Sequence, residues 1–210
     1  MRFLHVGCGP QRKDGAGPGL RSDEWTEVRF DIDPGVSPDI IGSMTDMSAV
    51  ESESMDAIFS SHNIEHLYAH DVPIALGEFR RVLKPDGFAV ITCPDLLEVC
   101  SLVAKGNLLE TAYISASGPI TPFDILYGYR APMELGNLYM AHRCGFTLPV
   151  LFNTLKDTGF LSVAGIRRPA FFDLWAVASK ARLEDEALRQ LCEKHIPPKT
   201  AAPNTPIPTS

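Results

Sequence analysis

Apolar residues along this chain arrive in short runs separated by glycine, proline and acidic turns, the pattern of buried strands alternating with connections. Leu4-His5-Val6 runs straight into Gly7-Cys8-Gly9, which predicts a first strand ending in a glycine turn. Val28 to Asp31 predicts a second strand, Asp39-Ile40-Ile41-Gly42 a short third and Met55 to Ser60 a fourth. From Val72 to Leu83 the period changes. Ile74, Leu76, Phe79, Val82 and Leu83 recur at near-helical spacing, so a helix is expected there. Pro85-Asp86-Gly87 ends it before a fifth strand, Phe88 to Thr92, and Asp95 is placed to cap a helix reaching about Lys105. Another helix begins at Thr147, with Leu151, Leu155 and Phe152 facing inward, and stops at Gly159. Two last strands, Phe160 to Arg167 and Phe171 to Ser179, are joined by Arg168-Pro169-Ala170. That link is too short for a parallel crossover, so the closing pair is expected to be antiparallel.

Three stretches break the rhythm. Residues 10–27 carry so many glycines and prolines that the first crossover helix reads as reduced or missing. Residues 106–141 interleave glycines and prolines with Tyr113, Phe123, Tyr127, Tyr129 and Tyr139, which reads as an inserted lid or wall. Leu183 to His195 is a charged, peripheral helix, and Ile196 to Ser210 is a proline- and threonine-rich tail expected to be disordered. The organisation predicted is one domain over residues 1–182 with an insert at about 106–141, a peripheral helix at 183–195 and a tail at 196–210.

Composition narrows the function. A chain of 210 residues is near the size of one domain. Its formal net charge of −7 argues against a broad nucleic-acid surface and favours a small, neutral or cationic substrate. Cysteines at 8, 93, 100, 144 and 192 are scattered and lack metal-ligand spacing, as in a reducing compartment. No apolar run approaches the roughly 18 residues of a membrane span, and a strand at Arg2 leaves no room for a signal peptide. A soluble, cytoplasmic protein is expected.

The chemistry begins at the glycine turn. Gly7 and Gly9 can take positive φ and bring backbone N–H groups close to a ligand, and ligands of parallel sheets lie beyond the carboxyl ends of the strands. Asp31 ends the second strand, where a carboxylate can grip ribose hydroxyls. An adenosine-containing cofactor follows. A dinucleotide fits less well, because Arg12 stands where a third glycine belongs and Pro10 removes a donor. His62-Asn63-Ile64-Glu65-His66 matches an H-x-x-E-H zinc pattern. It reads as accidental, since a sheet edge is the wrong context and no third ligand is evident, and no metal is expected.

Four segments resemble the class I S-adenosylmethionine-dependent methyltransferases: Leu4 to Pro10, Phe30 to Pro34, Asp56 to Leu67, and Glu78-Phe79-Arg80-Arg81-Val82-Leu83-Lys84-Pro85-Asp86-Gly87. The resemblance spans about residues 2–180. It implies an α/β fold, a doubly wound, mostly parallel seven-stranded sheet with an antiparallel last strand, binding S-adenosyl-L-methionine. Gly7, Cys8 and Gly9 would hold the methionine part, Asp31 and Ile32 the ribose region, Ser43 and Met44 the adenine. Ser60, Ser61 and His62 would flank the amino-acid portion and sulfonium. Asp46 reads either as a helix cap or as an adenine contact. Two departures concern the cofactor: His5 and Ser43 each stand where the family commonly has an acid. On the acceptor side His142, His66 and Tyr139 are the catalytic candidates, with Tyr113 and Arg130 nearby in sequence. The implied function is methyl transfer to a small-molecule acceptor, an oxygen nucleophile on a metabolite or cell-envelope sugar, by a monomer or homodimer. A non-catalytic S-adenosylmethionine-binding module or partner subunit remains open, as does an NAD(P)-dependent oxidoreductase.

Overall fold

The computed structural model describes residues 1–115 and 117–198. Five parallel strands form most of one sheet: β1 Arg2–Val6, β2 Thr26–Asp31, β3 Ile40–Ile41, β4 Met55–Ser61 and β5 Leu83–Pro94. A small antiparallel pair, β6 Tyr113–Ser115 and β7 Gly118–Ile120, stands apart, and β8 Ser162–Arg168 with β9 Asp173–Ser179 completes the main sheet. The seven strands are ordered β3-β2-β1-β4-β5-β9-β8. Here β9 runs antiparallel to both β5 and β8, as the short link between the last two strands requires.

Alternation along β1 explains why the sheet has two buried faces. Leu4 and Val6 join Ile58, Ile91, Leu174 and Ala176 in one core, while Phe3 joins Ala57, Phe59, Val90 and Val177 in another. The first face is covered by α1 Val72–Val82 and α5 Leu148–Asp157, through Leu76, Phe79, Leu151 and Leu155. Ile74, expected inward, is exposed, and Ala75 takes the buried position. Asp95 caps α2 Leu96–Ala104 by accepting from the Leu97 N–H.

The second face lacks a first crossover helix. In its place are two one-turn helices, Lys13–Gly15 and Pro18–Leu20, and Leu20 and Trp25 plug the gap. The C-terminal helix α6, Asp185–His195, closes the face. Gly19 explains the glycine-rich sequence before β2, because a Cβ there would strike His195 and the Lys194 carbonyl. The helix read as peripheral is therefore anchored at its end: His195 is 1% exposed, and Ile196 is buried beside Trp25. The rest of the expected tail, residues 199–210, lies outside the described residues.

β5 starts earlier than its apolar run suggests. Leu83 pairs with Met55, the register shifts, and the regular ladder resumes at Phe88 opposite Ala57. Glu78 and Arg81, in the helix leading to it, clamp the segment before β4. Glu78 accepts from the Met47 N–H, and Arg81 donates to the carbonyls of Met47 and Val50. The insert folds as the β6–β7 hairpin, α3 Pro122–Tyr127, α4 Arg130–Glu134 and a single turn at Leu138–Met140. It packs on Val99 through Ile120 and Ile125. Among the described residues no helix is long and apolar enough to cross a membrane.

Candidate active site

A cavity of about 400 Å³ opens beyond the carboxyl ends of β1, β2 and β4, and residues of the insert close its far side. That volume suits a nucleoside-sized ligand. The glycine turn forms its floor with Gly7 at φ +61° and Gly9 at φ +51°. The turn does not offer its N–H groups as the sequence suggests. Gly7 N–H donates to the Phe30 carbonyl at 2.8 Å and Gly9 N–H to Asp31 Oδ2 at 2.8 Å. The two glycines also differ in what surrounds them. A Cβ on Gly7 would overlap the Asn63 side chain, whereas one on Gly9 would meet nothing within 4 Å. Asn63 is locked in that place, its amide donating to the carbonyls of Val6 at 2.8 Å and Ser61 at 3.0 Å.

Asp31 holds two backbone donors, Gly9 N–H through Oδ2 and Asp33 N–H at 2.9 Å through Oδ1. Each carboxylate oxygen keeps a second lone pair. Behind it Arg29 is buried at 2% exposure and donates to the carbonyls of Gly9, Gln11, Val36 and Ser37. This one guanidinium ties the glycine turn to the turn after β2, where a crossover helix would otherwise brace both. His5, buried in β1, donates from Nδ1 to Glu27 at 2.6 Å. Burial lowers its pKa despite the carboxylate's pull. Burial also pushes the Cys8 thiol up to about 11.

At one end of the cavity stand Ile32, Ser43 and Met44. Ser43 Oγ is 2.8 Å from Thr45 Oγ1 and accepts the Thr45 N–H, while Asp46 accepts the Ser48 N–H. Asp46 thus serves the turn and lies off the cavity wall. At the other end β4 delivers Ser61 and His62, the latter at φ +53°, a conformation that non-glycine residues seldom take. The following turn, Ile64–His66, buries Glu65 at 1% exposure with His62 Nδ1 3.4 Å from Oε1. Burial pushes the Glu65 pKa up, but His62, His66 and His142 outweigh it and the net direction is downward.

The chain returns from the insert along this turn. Arg143 and Cys144 N–H both donate to the Glu65 carbonyl, at 2.8 and 3.2 Å. His142 is thereby set beside His66, with ring centroids 4.8 Å apart. His66 Nδ1 lies 3.2 Å from the Ala141 carbonyl and His142 Nδ1 2.7 Å from that of Ile125. Burial lowers the His142 pKa. Gly128, at φ +99°, makes this return possible, since a Cβ there would collide with the Met140 carbonyl.

The structure brings Gly7, Cys8, Gly9, Asp31, Ile32, Ser43, Met44, Ser61, His62, His66 and Tyr139 to one cavity. Ser60 is buried in the sheet and His142 sits behind His66, both outside the lining. Tyr113 stacks on Phe172 and Arg130 pairs with Asp124, likewise away from it. The sequence reading passed over Asn63, Asn137 and Arg143, which line the cavity, and Arg29, which braces it. Only Arg29 left a signal, a charge inside the otherwise apolar strand Val28 to Phe30.

Residues 15–91 match the family described as Methyltransferase domain, a span that starts after the glycine turn and ends inside β5. No curated protein matches the sequence. Among solved structures, a SAM-dependent methyltransferase from Methanosarcina mazei aligns over 87% of this chain and 93% of its own, at 15% identity and TM-score 0.56. A Burkholderia thailandensis 1,6-didemethyltoxoflavin-N1-methyltransferase, solved with 1,6-didemethyltoxoflavin and S-adenosylhomocysteine, aligns over 86% and 71% at 13% identity and TM-score 0.51. The citrinin polyketide synthase CMeT domain aligns over 87% of this chain at 13% identity and TM-score 0.53. There the chain spans about half of its counterpart, 47%. At such identities the likeness is one of fold. The family match over residues 15–91 and the shared fold agree in pointing to the methyltransferase domain.

Proposed function

We propose that the protein methylates an oxygen nucleophile on a small molecule, with the cofactor lying across the glycine turn from Met44 to His62. The single observation that carries this reading is the cavity itself, which is continuous from the Asp31 end to His66, Tyr139 and Arg143. The residues suit the cofactor. Gly9 faces open space, Asp31 has lone pairs free for a ribose diol, and Ile32 and Met44 offer apolar sides to a purine. Bound S-adenosylmethionine supplies an activated methyl group on its sulfonium. The protein's part is alignment and exclusion of water. An oxygen acceptor must also lose a proton, and the polar groups that meet it are His66 and Tyr139, with His142 behind.

A small acceptor is favoured because the insert closes the cavity with Asn137, Tyr139 and Met140, leaving the space of a metabolite rather than an open groove. All five cysteines are free, which supports a reducing, cytoplasmic setting. Calorimetric titration with S-adenosylhomocysteine, in competition with NAD(P), tests the cofactor half; preference for NAD(P) would sink it. The acceptor half is tested by mass spectrometry of hydroxyl-bearing metabolites and sugars incubated with S-adenosylmethionine. Methylation confined to nitrogen or carbon acceptors would refute the oxygen assignment.

A further inference from the structure

We propose that Glu65, His66 and His142 hold a divalent transition-metal ion at the acceptor end of the cavity. One donor atom from each lies within 4.8 Å of the others, the one such cluster among the described residues. The H-x-x-E-H pattern supplies only two of these ligands, and the sequence gives no hint of a third. The backbone bonds from Arg143 and Cys144 to the Glu65 carbonyl bring it in from residue 142.

Glu65 is the reason a cation is needed. Its carboxylate is buried, and neither oxygen has a hydrogen-bond partner. A desolvated anion without donors is costly. The imidazole of His62, 3.4 Å away with its side chain 48% exposed, compensates only one oxygen and from one side. The two rings each have one nitrogen occupied and one free. A carbonyl only accepts, so His66 and His142 each carry hydrogen on Nδ1, bonded to Ala141 and Ile125, and each keeps its lone pair on Nε2. Metal-binding histidines characteristically donate their other N–H to such a carbonyl, which fixes the tautomer. The nearest thiol is not a ligand in this arrangement, because Cys144 Sγ is turned to the Ile64 carbonyl at 3.4 Å.

Two imidazoles and one carboxylate select zinc, iron(II) or a similar ion over magnesium and calcium, which take oxygen ligands. Ligand distances near 2.0–2.1 Å require the three side chains to draw together when the ion binds. His66 lines the cavity, so the coordination position left open faces the acceptor. An oxygen acceptor bound there becomes more acidic. That use rests on the methyl-transfer reading above; binding of the ion does not.

The test uses the untagged full chain, stripped with a chelator and titrated with Co2+ while its visible absorption is followed. One ion per chain is expected, displaced by Zn2+, with His66→Ala and His142→Ala each weakening binding about 100-fold or more, at least the loss seen when an outer-shell partner is removed. Glu65→Gln should lose the site as well, and if that variant fails to fold the histidine variants still decide. Titration with S-adenosylhomocysteine runs in parallel, so failure of the cofactor reading shows separately. No bound Co2+, or binding unchanged in both histidine variants, would overturn the proposal and leave Glu65 as the partner of a protonated His62.

Discussion

Asp31 works on both sides of the cavity wall, shaping the glycine turn through Gly9 and Asp33 while its remaining lone pairs face the cofactor's place. Asp31→Ala is expected to weaken S-adenosylhomocysteine binding by about 1.5–3 kcal/mol, the scale of hydrogen bonds to a charged group. Calorimetry on the folded variant checks this; affinity equal to wild type would remove Asp31 from the ribose. The neighbouring glycines should separate cleanly. Gly7→Ala collides with Asn63, so its main effect is on folding. Gly9→Ala adds a methyl group to open space at positive φ. It should cost about 1–2 kcal/mol of stability and also lower cofactor affinity, read by thermal melting with and without S-adenosylhomocysteine. If ligand stabilises Gly9→Ala as much as wild type, the floor of the cavity lies elsewhere.

At the scale of elements, the last of the four resembling segments, Glu78 to Gly87, braces the fold. Glu78 and Arg81 of α1 clamp residues 47–50, and Arg80 donates to the Gly159 carbonyl at the end of α5. These contacts hold the covering helices on β4 and β5 without touching the cavity. The insert has the opposite character. Its tight return at Gly128 places Tyr139 on the cavity wall. Gly128→Ala is expected to displace that wall, leaving the affinity for S-adenosylhomocysteine unchanged while turnover falls by as much as about 100-fold, the cost of misplacing a reacting group by about 1 Å. Loss of cofactor binding and turnover together would show instead that the insert supports the whole cavity.

For the molecule as a whole, the missing crossover helix makes stability depend on the C-terminal one. His195 ends α6 packed against Phe88 and Trp25, with Nδ1 buried and unpartnered. Burial lowers its pKa from 6.5 to about 4. The folded protein therefore keeps His195 neutral while the unfolded chain binds a proton below pH 6.5. Stability from this group is complete above that value and is lost as the pH falls from 6.5 towards 4. Urea unfolding at pH 5 should give about 2 kcal/mol less than at pH 7 from this residue, as the linkage relation gives for such a shift. His195→Leu should abolish that part of the difference. An unchanged pH dependence in the variant would show that other groups carry it.

How much of this was legible in the sequence follows from range. Strand and helix positions, the antiparallel closing pair and the absent crossover helix were readable because apolar period, caps and link length are local properties. Most of the residues assigned to the cofactor converge on one cavity, since a parallel sheet places the ends of successive strands along one edge. What the tertiary structure alone decided depends on contacts between distant segments. A Cβ on Gly7 would overlap the Asn63 side chain, and the Gly7 N–H is spent on the Phe30 carbonyl. Arg29 stands in for a helix by bonding four carbonyls from two loops. Glu65 and His66 acquire His142 only because residues 143 and 144 pair with a turn nearly eighty positions earlier. Such pairings are set by how the insert closes on the sheet, and no local period or spacing encodes them.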